Sequence, residues 1–239
     1  MLLKRDGRVV STVLARELGV SIDTVRRDLD ELEDQGVLKR VHGGAVLPLP
    51  GEPRFLDRLG GDDEPAKERL AALAAPLLAD GEVVVLGGGT TTLQLARSLR
   101  PDLRATVLTA SLDVALALRD HEGVTVDVLG GRLDRRSQTL TGAGTIDQLR
   151  AVRPDVCVVS PCGLDVADGL TLREREEAQV VAETVERSRR TIVLASAAKL
   201  GASGPYVVAP AARVDTLVSD APEQRLAPFR ELGLEVVTG

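Results

Sequence analysis

Residues 15–45 read ARELGVSIDTVRRDLDELEDQGVLKRVHGGA, and this stretch decides how the amino-terminal part folds. Just before it, Ser11 is placed to cap a short helix running to Leu18, its hydroxyl accepting an orphan amide. Val13, Leu14 and Leu18 share one face of that helix. Gly19 ends it, because glycine takes the left-handed C′ conformation at little cost. Ser21 then caps a second helix from Ile22 to about Gln35, with Ile22, Val25, Leu29 and Leu32 as its apolar stripe and Gly36 as its stop. Val37–Val41 and Ala45–Leu47 are short extended pieces around His42-Gly43-Gly44, and a glycine pair between apolar runs signals a hairpin. The order is helix, turn, helix, wing. With the apolar stripe inward, Asp23, Thr24, Arg26 and Arg27 lie outward near the start of the second helix, beside its cap Ser21. Those positions of a recognition helix reach base edges in the major groove of double-stranded DNA. Arginine bonds guanine bidentately, and threonine contacts a base edge or a phosphate. Lys39, Arg40 and His42 sit on the hairpin, where a wing meets phosphates. The competing reading is a helical hairpin for protein contact. It draws support from the charge of residues 1–45, where eight basic residues balance eight acidic ones.

Working outward, LPLPGEPRF at 47–55 has three prolines in nine residues and reads as a stiff, extended linker. The expected organisation is a reader at 1–47, a linker at 48–62 and a larger domain at 63–239. In the larger domain a helix is expected at 64–79, with Leu70, Leu73, Leu77 and Leu78 inward. β-Rich runs at 83–86, 105–109, 124–129, 156–160, 191–195, 216–219 and 234–237 then alternate with helices at 91–99, 111–120, 144–150, 174–189 and 222–232. Strands apolar on both faces and separated by helices predict a parallel α/β sheet covered on both sides.

Composition bounds the chemistry. The chain has 239 residues, 44% hydrophobic and 28% charged, an ordinary globular make-up. Aromatics are 1%, so Val, Leu, Ile and Ala must build the core, and base stacking on aromatic faces is nearly excluded. The net charge of −6 argues against a non-specific nucleic-acid coat. No apolar run approaches the roughly 20 residues of a membrane helix, and MLLKRDGR at the start lacks a secretory apolar core. Two cysteines, Cys157 and Cys162, fit a reducing cytoplasm, and two histidines make a His/Cys zinc site a poor expectation. No metal or cofactor is expected.

A second motif, Gly87-Gly88-Gly89-Thr90-Thr91-Thr92, follows strand 83–86 and opens a helix. Glycines let backbone amides approach an anion, the helix N-terminus adds positive potential, and threonine hydroxyls add donors. The Gly-Lys-Ser/Thr ending of a Walker loop is missing. A tight strand-to-helix turn with a threonine cap is the bland alternative.

LGVS, TVRRDL and HGGA, with EPRF and Arg58 after them, resemble the signature of the DeoR family of bacterial transcriptional regulators. The resemblance runs through nearly the whole chain. It implies a winged helix-turn-helix reader joined to a parallel-sheet effector domain resembling ribose-5-phosphate isomerase and CoA-transferase folds. In such proteins a longer first helix precedes the Gly-Arg-Val turn. Here only Met1–Arg5 precede Asp6-Gly7-Arg8-Val9, which reads as a truncated first helix, with a misplaced start favoured over a weakened reader. The glycine loop corresponds to a family stretch resembling Asp-Ser-Gly-Thr-Thr, which holds a sugar phosphate. Gly89, Thr90 and Thr91 match it, Gly87 replaces the aspartate and Gly88 the serine. By the same resemblance the effector site takes Gly88, Gly89, Thr90, Thr91, Thr92, Ser111, Gly131 (with the later Ser137), Gly163, Asp165 and Lys199. Ala110, Val181 and Ser196 stand where the family commonly has Asn, Lys and Asp, so a less hydroxylated anion, or weaker effector binding, is implied. The function expected is a cytoplasmic DNA-binding regulator, read as a repressor of carbohydrate-metabolism genes. Its partners would be operator DNA, a small phosphorylated effector and further copies of itself, with no membrane. Two alternatives stay open: a DNA-binding-deficient interaction module, and an isomerase-like enzyme using Asp165 or Glu176 as base. Attachment to a reader and the loss of a carboxylate at position 87 weigh against catalysis, so no catalytic residue is assigned.

Overall fold

The computed structural model describes residues 8–34, 38–41, 43–48, 55–61 and 63–239. The reader consists of β1 (Arg8–Val10), α1 (Ser11–Leu18), α2 (Ile22–Asp34), β2 (Lys39–Val41) and β3 (Gly44–Pro48). β3 is the central strand, antiparallel to both β1 and β2. Gly44 admits that crowding: a Cβ there would lie 1.9 Å from the Val9 carbonyl oxygen. Gly19 ends α1 at φ 67°, and the Thr24 amide donates to Ser21 Oγ at 3.1 Å, so both boundary signals act as read. The role read for Ser11 needs correcting. It is the first helical residue, the cap position belongs to Val10 without a side-chain bond, and the Ser11 amide donates to the Gly43 carbonyl at 2.8 Å. The wing thus closes the start of α1. Val9, Val25, Leu29, Leu38 and Ala45 form the core, with Leu14, Ala15 and Leu32 packed against it. Val13 and Leu18, expected on the same buried face as Leu14, are 38% and 60% exposed, because that core reaches only the Leu14 side of α1. Residues 1–7, His42 and Gly36 lie outside the described residues, so the readings of the first helix, the wing histidine and the stop at Gly36 fall there.

A one-turn helix at Phe55–Arg58 leads into the second unit. There follow α3 (Glu64–Ala74), β4 (Val83–Leu86), α4 (Thr90–Arg97), β5 (Ala105–Thr109), α5 (Leu112–Leu118), β6 (Val124–Val128), β7 (Arg132–Asp134), β8 (Thr139–Thr141), α6 (Ala143–Arg150), β9 (Val156–Val159), β10 (Gly163–Asp165), β11 (Gly169–Leu172), α7 (Arg175–Arg187), β12 (Arg190–Leu194), β13 (Ala202–Ser203), β14 (Tyr206–Ala209), β15 (Thr216–Val218), α8 (Glu223–Glu231) and β16 (Glu235–Val237). The seven β-rich runs form one parallel sheet in the order β16-β15-β12-β9-β4-β5-β6. Apolar clusters cover both of its faces: one includes Leu70, Leu86, Val107, Val158 and Leu194, the other Val85, Leu108, Leu149 and Cys157. α3 stops at Ala74 rather than near 79, since Pro76 has no amide to donate and turns the chain into a 3-10 segment, Ala75–Leu77. β6 departs from the two-faced apolar expectation. It is an edge strand, with Thr125, Asp127 and Val128 exposed. Among the described residues no helix is long and apolar enough to cross a membrane.

Two additions to this sheet position the site. β10, β11 and β14 form a small antiparallel sheet, and β7 and β8 a hairpin. The last strand, β13, pairs in parallel with the wing strand β3, Ala202 opposite Leu47 and Ser203 opposite Pro48. β13 also lies so close to β10 that a Cβ at Gly163 would fall 2.2 Å from the Ala202 carbonyl oxygen. The wing is therefore joined to the larger unit by backbone pairing as well as by the covalent connection.

Candidate functional site

On the reader, Ser21, Asp23, Thr24, Arg26 and Arg27 are all exposed, as the outward face of α2 requires. Arg26 meets Asp23 one turn earlier, N to O 3.3 Å, with both side chains largely in water. Such a pair holds little energy and yields readily to a better acceptor. Ser21 and Thr24 share a hydroxyl contact of 2.9 Å, which ties both to the helix start. Arg40 is placed differently from the phosphate contact expected of it. It donates to the Arg26 carbonyl at 2.8 Å and to Asp30 Oδ1 at 2.7 Å, while its amide donates to Glu33 Oε1 at 2.8 Å. It braces the wing against the side of α2 that carries Arg26, with Asp30 and Glu33 as its partners. Lys39 lies on β2.

In the larger unit an open cleft gathers residues from distant parts of the chain. Its lining includes Gly88, Gly89, Thr90, Thr91 and Lys199, joined by Arg58, Arg136, Ser137, Ser160, Cys162, Leu172, Arg173, Glu174 and Glu177. Four cationic side chains thus face two carboxylates. α4 begins at the cleft after Gly89, whose φ of 113° suits glycine alone. The first amides of a helix have no intrahelical partner and carry its positive end. No side chain caps that end. Lys199 Nζ donates to Ser160 Oγ at 2.8 Å, and the Ser160 hydroxyl donates in turn to the Leu194 carbonyl at 2.9 Å. The ammonium is held over the ends of β9 and β12.

The 134–138 loop forms another wall. Asp134 Oδ1 accepts from the Arg136 amide at 2.9 Å and from the Ser137 amide and hydroxyl at 2.8 and 3.1 Å. Partial burial pushes the Asp134 carboxyl up, but the donors from Ser137 and Arg136 outweigh it and hold the group below its ordinary value. Arg136 then pairs with Glu174 at 2.9 Å, and its carbonyl accepts the Phe55 amide at 2.9 Å. Phe55 is buried, and Arg58, one helical turn on, reaches the cleft. The segment arriving from the wing is therefore part of the cleft wall.

Other residues expected at this site lie off the cleft lining. Thr92 is fully buried and bonds back to the Gly89 carbonyl at 2.9 Å. Ser111 caps α5, accepting from the Val114 amide at 3.4 Å. Gly131 gives room to Thr145, whose Oγ1 would lie 2.2 Å from a Cβ. Gly163 serves the close approach to β13, and Asp165 Oδ1 accepts the amides of Ala167 and Asp168 at 2.8 and 3.0 Å in a turn. Glu176 turns instead to Arg132 and Thr141. The replacement at Gly88 has a visible counterpart: a Cβ there would lie 2.3 Å from Thr139 Oγ1, so Thr139 fills the space beside the loop. Sequence reasoning missed Arg136, Arg173 and Glu174, which carry no local motif. Arg58 was visible only as part of the family resemblance. Cys157 is buried, where burial pushes its thiol up, and it belongs to the core.

Comparison with known proteins agrees with both halves. A family model for the DeoR-like helix-turn-helix domain matches residues 1–50, and one for the DeoR C terminal sensor domain matches 63–221. The chain is 32% identical to the HTH-type transcriptional repressor GlcR of Bacillus subtilis over 220 residues, 91% of this chain and 84% of that protein. It is also 32% identical to the HTH-type transcriptional regulator GolR of Listeria innocua over 240 residues, 98% of this chain and 94% of that one. With the glycerol-3-phosphate regulon repressor of Escherichia coli K12 the identity is 29% over 222 residues, 92% and 88% of the two chains. Among solved structures it is similar to ribose 5-phosphate isomerase A from Methanocaldococcus jannaschii, with 17% identity, a TM-score of 0.42, and 58% of this chain and 55% of that one covered. The relatives are named as regulators, not enzymes. With a reader matched from the first residue and a sensor matched over most of the rest, the chain belongs to the DeoR family of DNA-binding transcriptional regulators.

Proposed function

We propose that this regulator is a repressor of carbohydrate-metabolism genes, and that a small phosphorylated metabolite in the cleft sets its affinity for the operator. It works in the cytoplasm as a homo-oligomer, with a reader at 1–47, a linker at 48–62 and a sensor at 63–239. Arg26 and Arg27 read base edges, with Thr24 beside them. In the cleft, the amides at Gly88–Thr91 and the Lys199 ammonium take the phosphate. The carboxylate that the resemblance expects at position 87 would sit tightly there, since a Cβ on Gly87 would lie 3.2 Å from the Val158 carbonyl oxygen. Glu174 and Glu177, across the cleft, take over the hydroxyls of the organic part. Support comes from the excess of cations around an uncapped helix start. Relatives named for phosphorylated substrates or their uptake, the glycerol-3-phosphate regulon repressor and the lactose phosphotransferase system repressor of Lactococcus lactis, point the same way.

The observation that carries the regulatory reading is the double tie between cleft and reader. Arg58 belongs to the segment arriving from the wing, and the turn bearing Lys199 runs directly into β13, which pairs with the wing strand. A ligand that binds the two arrangements of these ties unequally shifts operator affinity by that difference. The test is thermal stability against a series of sugar and polyol phosphates, each beside its unphosphorylated parent. One ester is expected to raise the Tm through binding to the native state, the parent to leave it unchanged, and Lys199→Ala to abolish the rise. Equal response to ester and parent would overturn the phosphate assignment.

A further inference from the structure

The outer edge of the parallel sheet carries an assembly surface. β6 ends the sheet, and its sequence, Val-Thr-Val-Asp-Val at 124–128, lacks the lysines, prolines and bulges that usually blunt an edge. The direction of its main chain follows from the ladder. The Ala105 amide donates to the Gly123 carbonyl at 3.3 Å and the Leu129 amide to the Thr109 carbonyl at 2.9 Å. In a parallel pair with β5, odd-numbered residues then face inward, so Val126 and Val128 turn their amides and carbonyls outward. The Val124 amide is taken by the His121 carbonyl at 3.2 Å, while the Val124 carbonyl faces outward with the others.

We infer that this edge pairs antiparallel with β6 of a second copy, about a two-fold axis through Val126. The reading rests on the homo-oligomer proposed above and names its surface. In this register Val126 exchanges both main-chain bonds with its own copy, and each Val128 amide meets the partner's Val124 carbonyl. The side chains agree with the same register. Thr125 and Asp127 are exposed on one face and come to lie opposite each other's copies, a hydroxyl against a carboxylate. A register centred on Asp127 would set two carboxylates face to face. On the other face Val128, 46% exposed in the single chain, is covered by the partner's Val124. Leu112 and Leu116, one turn apart on the adjoining α5, are exposed as well, Leu116 by 60%, and extend the apolar surface. An isologous contact of this kind closes as a dimer.

Sedimentation velocity on the full chain tests it, with circular dichroism as the check on folding. Val126→Pro removes an amide that the monomer's own ladder does not use, so the chain is expected to fold and to sediment as a monomer. Thr125→Asp sets two symmetry-related carboxylate pairs face to face and is expected to raise the dimer dissociation constant roughly tenfold. Thr125→Lys is expected to preserve or tighten the dimer and to make it more sensitive to salt. Should Val126→Pro fail to fold, the two exposed Thr125 variants carry the test. A wild-type chain that stays monomeric would overturn the oligomer itself. A dimer indifferent to Thr125→Asp would overturn this surface and leave the oligomer standing.

Discussion

The proposed recognition helix and the sensor cleft both carry arginines, and they are built in opposite ways. On α2 the proposed contacts lie within seven consecutive residues, Ser21–Arg27, exposed over a small core of Val25, Leu29 and Ala45. In the cleft, Arg58, Arg136 and Lys199 come from segments up to 141 residues apart: a one-turn helix, the 134–138 loop and the turn held over the ends of β9 and β12. A surface reader can lose a side chain without losing its frame. A cleft assembled from distant segments is only as well placed as the sheet and loops beneath it.

That contrast can be broken first at its structural end. Leu194→Ala, in the buried cluster behind Ser160 and Lys199, is expected to lower stability by about 2–5 kcal/mol, measured by urea unfolding, and to weaken effector binding with it. Arg26→Ala or Arg27→Ala should leave the urea midpoint in place and lower operator affinity by about 1–3 kcal/mol for an arginine that reads a base. Unchanged binding in both would displace α2 as the reading element. Arg40 sharpens the comparison within the reader. As a brace to Asp30 and the Arg26 carbonyl, its loss is expected to destabilise the reader by about 1 kcal/mol without altering the salt dependence of operator binding. A phosphate contact would instead lower the slope by about one.

The smallest effect belongs to the cleft wall. Asp134 has a folded pKa below its ordinary value, so its contribution to stability is fully present above the unfolded value of about 3.9. That contribution is lost as pH falls through the lower folded value. Asp134→Asn, which keeps an acceptor but cannot titrate, should therefore show a shallower loss of stability in acid. An identical acid profile in the two proteins would mean that the Arg136 and Ser137 donors do not bind the carboxylate selectively.

The same contrast explains what could be read from the sequence. The seven central strands and the helices between them were legible because each is a continuous apolar run or a periodic face, and both signals are local. Gly19 and Ser21 marked their turns for the same reason. The short strands β7, β8, β10, β11 and β13 are too brief to carry such a run, and β13 and β14 find their partners far along the chain: Ala202 pairs with Leu47 and Ala209 with Leu170. Arg136 and Glu174 were invisible because nothing near either residue signals a cleft; only the meeting of the 134–138 loop with the start of α7 creates one. Ser111, Gly131, Gly163 and Asp165 were singled out as effector residues, yet they cap a helix, admit Thr145, admit β13 and close a turn. Motif resemblance singled out residues that line the cleft together with residues that support it, without separating the two.

The central claim is that cleft and reader are linked through Arg58 and the Lys199–β13 segment. Its most direct test is operator affinity at fixed salt, titrated with the phosphate ester that most stabilises the protein, in wild type and in Lys199→Ala. Wild type is expected to change operator affinity on binding the ester, and the variant to bind operator alone as wild type does while ignoring the ester. An ester that binds the cleft and leaves operator affinity untouched would contradict the linkage.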